Sequence, residues 1–136
     1  MLDISGGKTA NGTNIHLWEK HGGWNQKWEI NPDGTISNPQ SGKVLDISGG
    51  KTADGANIQL HEKHGRWNQK WVINEDGTII NPHTGKALDI RGGDRANGTN
   101  IILWSRHGGA NQLWILEPIT SGIPEATVVV AKSLVI

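Results

Sequence analysis

The sequence predicts an all-β protein made of three copies of one small unit. Asp3, Asp46 and Asp89 mark the same point of the copies and lie 43 residues apart. Glycine is abundant, at 19 residues, and separates short runs in which apolar and polar residues alternate. Alternation at period two is typical of strands, and no segment carries a helical apolar stripe. Because a unit of this length cannot bury its apolar face alone, the copies are expected to share one core.

The strands of one unit are clearest in the segment after the turn at Asp76-Gly77. The apolar run 78–80 follows that turn, and residues 81–85 turn the chain again. The runs 86–90 and 100–104 alternate, and a fourth run covers 111–116. About four strands per unit give about twelve in all, which suits a β-trefoil or a related barrel. The predicted fold is therefore a β-trefoil of three 43-residue repeats with pseudo-threefold symmetry.

One side of these strands carries large apolar residues in every copy. The indoles of three Asn-Gln-x-Trp segments are expected to converge and to supply much of a small core. The predicted core comprises Leu2, Ile4, Ile15, Leu17, Trp28, Ile30, Ile36, Leu45, Ile47, Ile58, Leu60, Trp71, Ile73, Ile79, Leu88, Ile90, Ile101, Leu103, Trp114 and Leu116.

The 136 residues are enough for one domain and not two, so residues 1–136 are predicted to form a single domain. The predicted limits are about 2–36, 37–79 and 80–122 for the three repeats, followed by a closing strand within 123–136. The first copy lacks the opening strand that precedes the other two copies. The β-prone segment 126–131 is therefore predicted to close the barrel beside the first copy.

Composition excludes several classes of function. The 13 basic and 13 acidic residues balance, so the basic excess typical of nucleic-acid binding is absent. No run is apolar and long enough to insert in a membrane. The sequence has no cysteine, and no signal peptide precedes Leu2. These features are compatible with the cytoplasm, but they leave secretion open.

The opposite side of the strands carries a polar set that also repeats. Its members are Asp3, His16 and Trp18 in the first copy, Asp46, Gln59 and His61 in the second, and Asp89, Ile102 and Trp104 in the third. A carboxylate accepts hydrogen bonds from sugar hydroxyls, and a flat ring packs on the apolar face of a pyranose. A nearby asparagine amide both donates and accepts. The pattern predicts carbohydrate sites that need no metal ion and no cofactor.

Two motifs recur in register with this set, Leu-Asp near the start of each unit and Gln-x-Trp near its end. The latter are Gln26-Lys27-Trp28, Gln69-Lys70-Trp71 and Gln112-Leu113-Trp114. From Leu2 to about Trp114 the chain resembles the ricin-type lectins, a β-trefoil family marked by Q-x-W motifs.

The resemblance implies a galactose-type pocket in each copy. The aspartate would take two hydroxyls, the aromatic residue would stack on the sugar, the asparagine would bond a hydroxyl, and the glutamine would support the aspartate from behind. The implied site residues are Asp3, His16, Trp18, Asn25 and Gln26, then Asp46, Gln59, His61, Asn68 and Gln69, and finally Asp89, Ile102, Trp104, Asn111 and Gln112.

The copies depart from the family pattern in three ways. His61 replaces the stacking tryptophan, and Ile102 removes a polar contact. The common disulfide within the repeat is absent, because its two positions are Val44 and Lys63 in the second copy. These departures predict one sugar chemistry at three graded sites, with the second pocket as the outlier.

Several of these residues have a simpler structural explanation. The aspartates could cap turns beside the glycines that follow them, and the asparagines could bond loop backbone. The glutamines are expected to be structural. His21, His64 and His107 fit solvated turns, because threefold placement would keep them too far apart to share a metal ion. The Gly-Gly-Lys-Thr segments lack the earlier glycine of a phosphate loop and precede no helix.

The leading functional hypothesis is a non-catalytic lectin whose partners are glycans or glycoconjugates bound at up to three sites. The alternatives are a carbohydrate-targeting module of a larger enzyme or toxin, and a trefoil scaffold or inhibitor. Hydrolysis is disfavoured because each unit has one constant carboxylate where glycosidases use a pair. The oligomeric state, monomer or homodimer, is left open. Copies one and two agree at 32 of 43 positions (2–44 against 45–87), which implies recent duplication or deliberate symmetrisation.

Overall fold

A computed structural model describes residues 1–119 and the backbone of a strand at 131–135. All strand pairs among them are antiparallel. The strands are β1 Leu2–Ile4, β2 Ile15–Leu17, β3 Trp28–Ile30, β4 Ile36–Ser37, β5 Val44–Ile47, β6 Ile58–His61, β7 Val72–Ile73, β8 Ile79–Asn81, β9 Lys86–Ile90, β10 Ile101–Trp104, β11 Ile115–Pro118 and β12 Ala131–Val135.

The strands form three sheets whose parts repeat from copy to copy. The sheet orders are β1-β2, β10-β9-β8-β7 and β11-β12-β3-β4-β5-β6. Three equivalent pairs, β1 with β2, β5 with β6, and β9 with β10, begin the three copies. The β-trefoil with pseudo-threefold symmetry that the sequence predicts is confirmed.

The sequence predicted the core well. The three Gln-x-Trp indoles are 0–4 % exposed, and their N–H groups donate to the carbonyls of Leu2, Leu45 and Leu88 at 3.1–3.2 Å. Each tryptophan therefore ties the end of its copy to that copy's first strand. Three expected core residues are only partly buried and pack against the edge of the cluster, namely Ile30, Ile73 and Leu116.

Three asparagine side chains close a ring that links the copies. Asn14 Nδ2 donates to Asn100 Oδ1 at 2.8 Å, and Asn100 Nδ2 donates to Asn57 Oδ1 at 2.8 Å. Asn57 Nδ2 completes the ring by donating to Asn14 Oδ1 at 2.9 Å. Each amide uses one donor and its acceptor on a different copy, which satisfies polar groups that the converging copies partly bury.

The predicted fourth strand of each unit is shorter than the sequence suggested. Its Asn-Gln start belongs to a 3-10 turn, at Trp24–Gln26, Trp67–Gln69 and Ala110–Gln112. The i to i+3 hydrogen bond from Lys27 N to Trp24 O closes the first of these turns at 3.2 Å. The prediction of a strand over the whole of 111–116 is therefore wrong, since β11 begins at Ile115.

The last strand lies between the first and third copies. Ala131 and Lys132 in β12 pair with Glu29 and Trp28 in β3, and residues 132–135 pair with β11. The described strand includes residue 131 of the segment 126–131 that the sequence predicted to close the barrel. Residues 126–130 lie outside the described residues.

The Gly-Gly pairs form tight turns after β1, β5 and β9. In the first copy Gly6 and Gly7 have φ angles of 64° and 61°, a left-handed conformation that side chains with a Cβ disfavour. The left-handed backbone conformation therefore explains why glycine occupies these positions. Within the described residues, no helix has the length and apolarity needed to cross a membrane.

Candidate functional site

The aspartates predicted to face a sugar lie at the bottom of equivalent pockets. The sequence assigned Asp3, Asp46 and Asp89 to the face opposite the core, but they are only 2–3 % exposed. Each lies on the first strand of its copy, between the partner strand and the 3-10 turn that carries the Asn-Gln pair. Burial of a carboxylate requires hydrogen-bond donors, and the turn supplies them.

The glutamines hold these carboxylates in place. Gln26 Nε2 donates to Asp3 Oδ2 at 2.8 Å and to Glu19 O at 2.9 Å, while Gln26 Oε1 accepts from His21 N. The equivalent bond to the aspartate is 2.8 Å long at Gln69 and Gln112. These hydrogen bonds fix the glutamine amide, so the carboxylate has one orientation in every copy.

The asparagines both contact the pocket and bond the backbone. Asn25 Nδ2 lies 3.3 Å from Asp3 Oδ2 and 3.2 Å from Ile4 O, and Asn68 makes the same contacts. Asn111 Nδ2 donates only to Ile90 O, at 3.1 Å. The predicted backbone role is therefore real, and it leaves the amide oxygen available to accept a hydrogen bond from a ligand.

Three histidines border the pockets, a position that the sequence analysis did not predict for them. His21 and His107 lie with Nε2 3.4 Å from the aspartate Oδ2, and His64 lies at 3.5 Å. They are exposed at turns, as expected, but they also face the carboxylate. Their fixed place five residues before each Gln-x-Trp motif is the sequence signal that could have identified them.

Each pocket is completed by a loop from a neighbouring copy. Asn97 Oδ1 accepts from Glu19 N beside the first pocket, and Asn11 Oδ1 accepts from Glu62 N beside the second, both at 2.8 Å. Asp54 accepts from Ser105 N beside the third at 2.7 Å. The folded barrel is therefore needed to build any of the three pockets.

The first pocket is filled by its own histidine. His16 Nε2 lies 2.7 Å from Asp3 Oδ1, and the His16 ring stacks on Trp18 with ring centroids 5.3 Å apart. The imidazole thus contacts both the carboxylate oxygen and the aromatic face that the sequence assigned to a sugar.

The second pocket is open but has a smaller aromatic surface. It measures about 370 Å³ and is lined by Asp46, Gln59, His61 and His64 among others. Gln59 Nε2 donates to Asp46 Oδ1 at 3.1 Å. A ligand would share this oxygen with the glutamine amide.

The third pocket has an exposed indole and a carboxylate with one oxygen that is not bonded by a side chain of the described residues. It measures about 500 Å³, a size suited to a small ligand, and Asp89, Ile102, Trp104 and Asn111 line it. Ile102 occupies the position of His16, so no side chain among the described residues donates to Asp89 Oδ1. Trp104 is 40 % exposed. This pocket brings together the groups that the sequence predicted for a sugar.

Comparison with known proteins identifies the family. Residues 1–114 match the family described as the ricin-type beta-trefoil lectin domain. The chain belongs to this family. As a ricin-type lectin domain it binds carbohydrate, and the repeated Asp, Asn and Gln side chains lie where its threefold fold forms pockets.

Solved structures similar to this lectin domain include single domains and part of an enzyme. A designed threefold symmetric protein, ThreeFoil, is 31% identical with a TM-score of 0.77, over 99% of this chain and 89% of ThreeFoil. The C-half of the earthworm R-type lectin, in complex with GalNAc, is 28% identical with a TM-score of 0.71, over 84% and 86%. The exo-beta-1,3-galactanase 1,3Gal43A from Clostridium thermocellum is 28% identical with a TM-score of 0.74, over 99% of this chain but 27% of that enzyme.

Proposed function

We propose that the protein is a non-catalytic lectin for galactose-type sugars, galactose and N-acetylgalactosamine, with the third pocket as its principal site. The observation that carries this proposal is the free Asp89 Oδ1 beside the exposed face of Trp104. Neighbouring hydroxyls of a sugar would donate to the carboxylate, and the Asn111 oxygen would accept from a hydroxyl. The apolar face of the ring would pack on the indole.

The three sites are proposed to differ in affinity. A sugar in the second pocket would share Asp46 Oδ1 with Gln59 and would stack on an imidazole with less area than an indole. In the first pocket it would first have to displace His16 from Asp3. We therefore expect the affinity for sugar to be highest at the third site, intermediate at the second and lowest at the first. The sequence alone had made the second pocket the outlier.

A titration with variants of the three aspartates tests the proposal. Asp89→Asn keeps an acceptor for Gln112 but replaces the free oxygen, so we expect about 10-fold to 100-fold weaker binding of N-acetylgalactosamine. Asp3→Asn is the matched control and should change the affinity little. Calorimetry with galactose, N-acetylgalactosamine and glucose provides the measurement. Equal binding of all three sugars, or unchanged affinity in Asp89→Asn, would contradict the proposal.

A carbohydrate-targeting module is the second candidate function. It is favoured by the match of nearly the whole chain, 99%, to only 27% of the exo-beta-1,3-galactanase. In this case the same pockets would hold an attached domain near its glycan substrate. Sequencing the native transcript that encodes this chain tests the idea, which fails if no further domain is joined to it.

A further inference from the structure

Two imidazoles approach the buried carboxylate of the second copy. We propose that Asp46, His61 and His64 bind one divalent transition-metal cation, such as Zn²⁺. One ligand atom from each residue lies within 4.8 Å of the other two. Two imidazole nitrogens with one carboxylate oxygen suit zinc and leave a fourth position for water. The sequence predicted no metal because it weighed only a site shared among the three copies.

The imidazoles can both present Nε2 to a cation. His61 Nδ1 lies 3.1 Å from Glu62 O, so this nitrogen donates and Nε2 keeps its lone pair. His64 Nε2 already faces Asp46 Oδ2 at 3.5 Å. His64 Nδ1 accepts from Arg66 N at 3.1 Å in the metal-free protein. When the metal binds, the proton on His64 Nε2 moves to Nδ1, which gives up that hydrogen bond.

The carboxylate is held in place for coordination. Gln69 Nε2 donates to Asp46 Oδ2 at 2.8 Å, and Gln59 Nε2 donates to Asp46 Oδ1 at 3.1 Å. A carboxylate has about four acceptor positions, so these bonds leave lone pairs for a cation. Hydrogen bonds that orient a ligating side chain from outside strengthen metal sites.

Among the described residues, this is the only group of three such donors whose ligand atoms lie this close together. The residue at the His61 position is Trp18 in the first copy and Trp104 in the third, and an indole does not ligate metals. In the first copy His16 and His21 both contact Asp3, but the three side chains do not form such a group. In the third copy His107 alone faces Asp89, at 3.4 Å, so this copy is a natural control with one histidine and one carboxylate.

The second copy also displaces its turn histidine. In the first copy a Cβ at Gly23 would lie 2.7 Å from His21 Cε1, so the imidazole must shift when a side chain is present. Arg66 occupies this position in the second copy, and the His64 side chain is less exposed than that of His21, at 32% against 42%. Nε2 of His64 nevertheless stays about as close to its aspartate as Nε2 of His21 does, at 3.5 Å against 3.4 Å.

The test uses the full chain, freed of metal with a chelator, and Zn²⁺ alone as the titrant. Calorimetry above neutral pH should show one saturable equivalent per chain, because coordination needs neutral imidazoles. His61→Trp, which installs the residue of the other copies, and His64→Ala should each abolish that equivalent. His107→Ala removes a histidine from the third copy and should change nothing. Thermal unfolding checks that each variant is folded.

A gain of binding tests the geometry directly. Trp104→His gives the third copy the same three ligands, with Asp89 and His107, and should raise the stoichiometry to two Zn²⁺ per chain. Absence of saturable binding in the original protein, equal binding in His61→Trp, or no second equivalent in Trp104→His would overturn the proposal. No sugar is present in these titrations, so their outcome is independent of the proposed lectin function.

Discussion

One side chain opposite each aspartate distinguishes the three pockets. His16, Gln59 and Ile102 pair with Asp3, Asp46 and Asp89 across equivalent hairpins. The histidine contacts Oδ1 of its aspartate at 2.7 Å, and the glutamine donates to the equivalent oxygen at 3.1 Å. The isoleucine has no polar group to bond this oxygen. Access to the carboxylate therefore depends on this one position in each copy.

Replacing the histidine should open the first pocket. In His16→Ile the first copy receives the residue of the third, so Asp3 Oδ1 and the face of Trp18 both become available. We expect one additional sugar site per chain, detected as a galactose-dependent shift of the Trp18 indole N–H resonance. Gln59→Ile is the parallel variant in the second copy, where no tryptophan is present at the stacking position. An unchanged Trp18 resonance at saturating galactose would show that His16 does not block the site.

The links between elements of different copies lie near the barrel axis. Asn14, Asn57 and Asn100 form a closed amide ring, and each ring member precedes the second strand of its copy. Each amide donates a hydrogen bond to one neighbour and accepts one from the other, so removing one amide leaves both neighbours with an unpaired polar group.

Removing one amide should destabilise the whole barrel. Asn57→Ala leaves the donor of Asn100 and the acceptor of Asn14 without partners, and the expected loss in free energy of unfolding is about 1–3 kcal/mol. Urea denaturation measures it, with the exposed Lys8→Ala as the control. Adding Asn14→Ala to this variant should lower the free energy of unfolding by less than Asn57→Ala does, because the ring is already broken. Full additivity of the two losses would contradict a cooperative ring.

The closing strand is the second element on which the barrel depends. Because β12 pairs with both β3 and β11, its removal would expose two strand edges. Deleting residues 123–136 should lower the midpoint of urea unfolding and cause association that increases with protein concentration. Analytical ultracentrifugation with the full chain as reference measures the second effect. A monomeric, equally stable truncated chain would show that the strand is dispensable.

At the scale of the whole molecule, charged side chains join neighbouring copies. The pKa of Asp33 is lowered by the hydrogen bond from Lys63, and then by those from Thr35. Hydrogen bonds from Thr78 and then from Arg106 lower the pKa of Asp76. Lys63 and Arg106 belong to the copies that follow these aspartates, so both contacts cross a boundary between copies.

These contacts predict a loss of stability in acid. A carboxyl with a lowered pKa in the folded state stabilises the fold fully above its unfolded pKa, about 3.9 for aspartate. The contribution is lost as the pH falls through the folded value. The free energy of unfolding from urea titrations should therefore decrease below about pH 4, and less steeply in the double variant Asp33→Asn, Asp76→Asn. Identical slopes in both proteins would exclude these two residues as a cause.

The three proposed sugar sites lie on one barrel, which would affect how the molecule binds multivalent glycans. Sites of unequal affinity still raise the effective concentration of a second sugar once the first is held. The lectin's avidity should therefore depend on how many pockets are open.

The sequence by itself determined the fold, most of the core and the candidate pocket residues other than the three turn histidines. Constant spacing and period-two alternation can be seen in the linear order of the residues, so the strands, the core tryptophans and the family motifs could be found without coordinates. The tertiary structure decided which pockets are open, how His64 and His61 meet Asp46, and how three asparagines close a ring. These depend on contacts between side chains 13 to 86 residues apart, and no local pattern encodes their geometry.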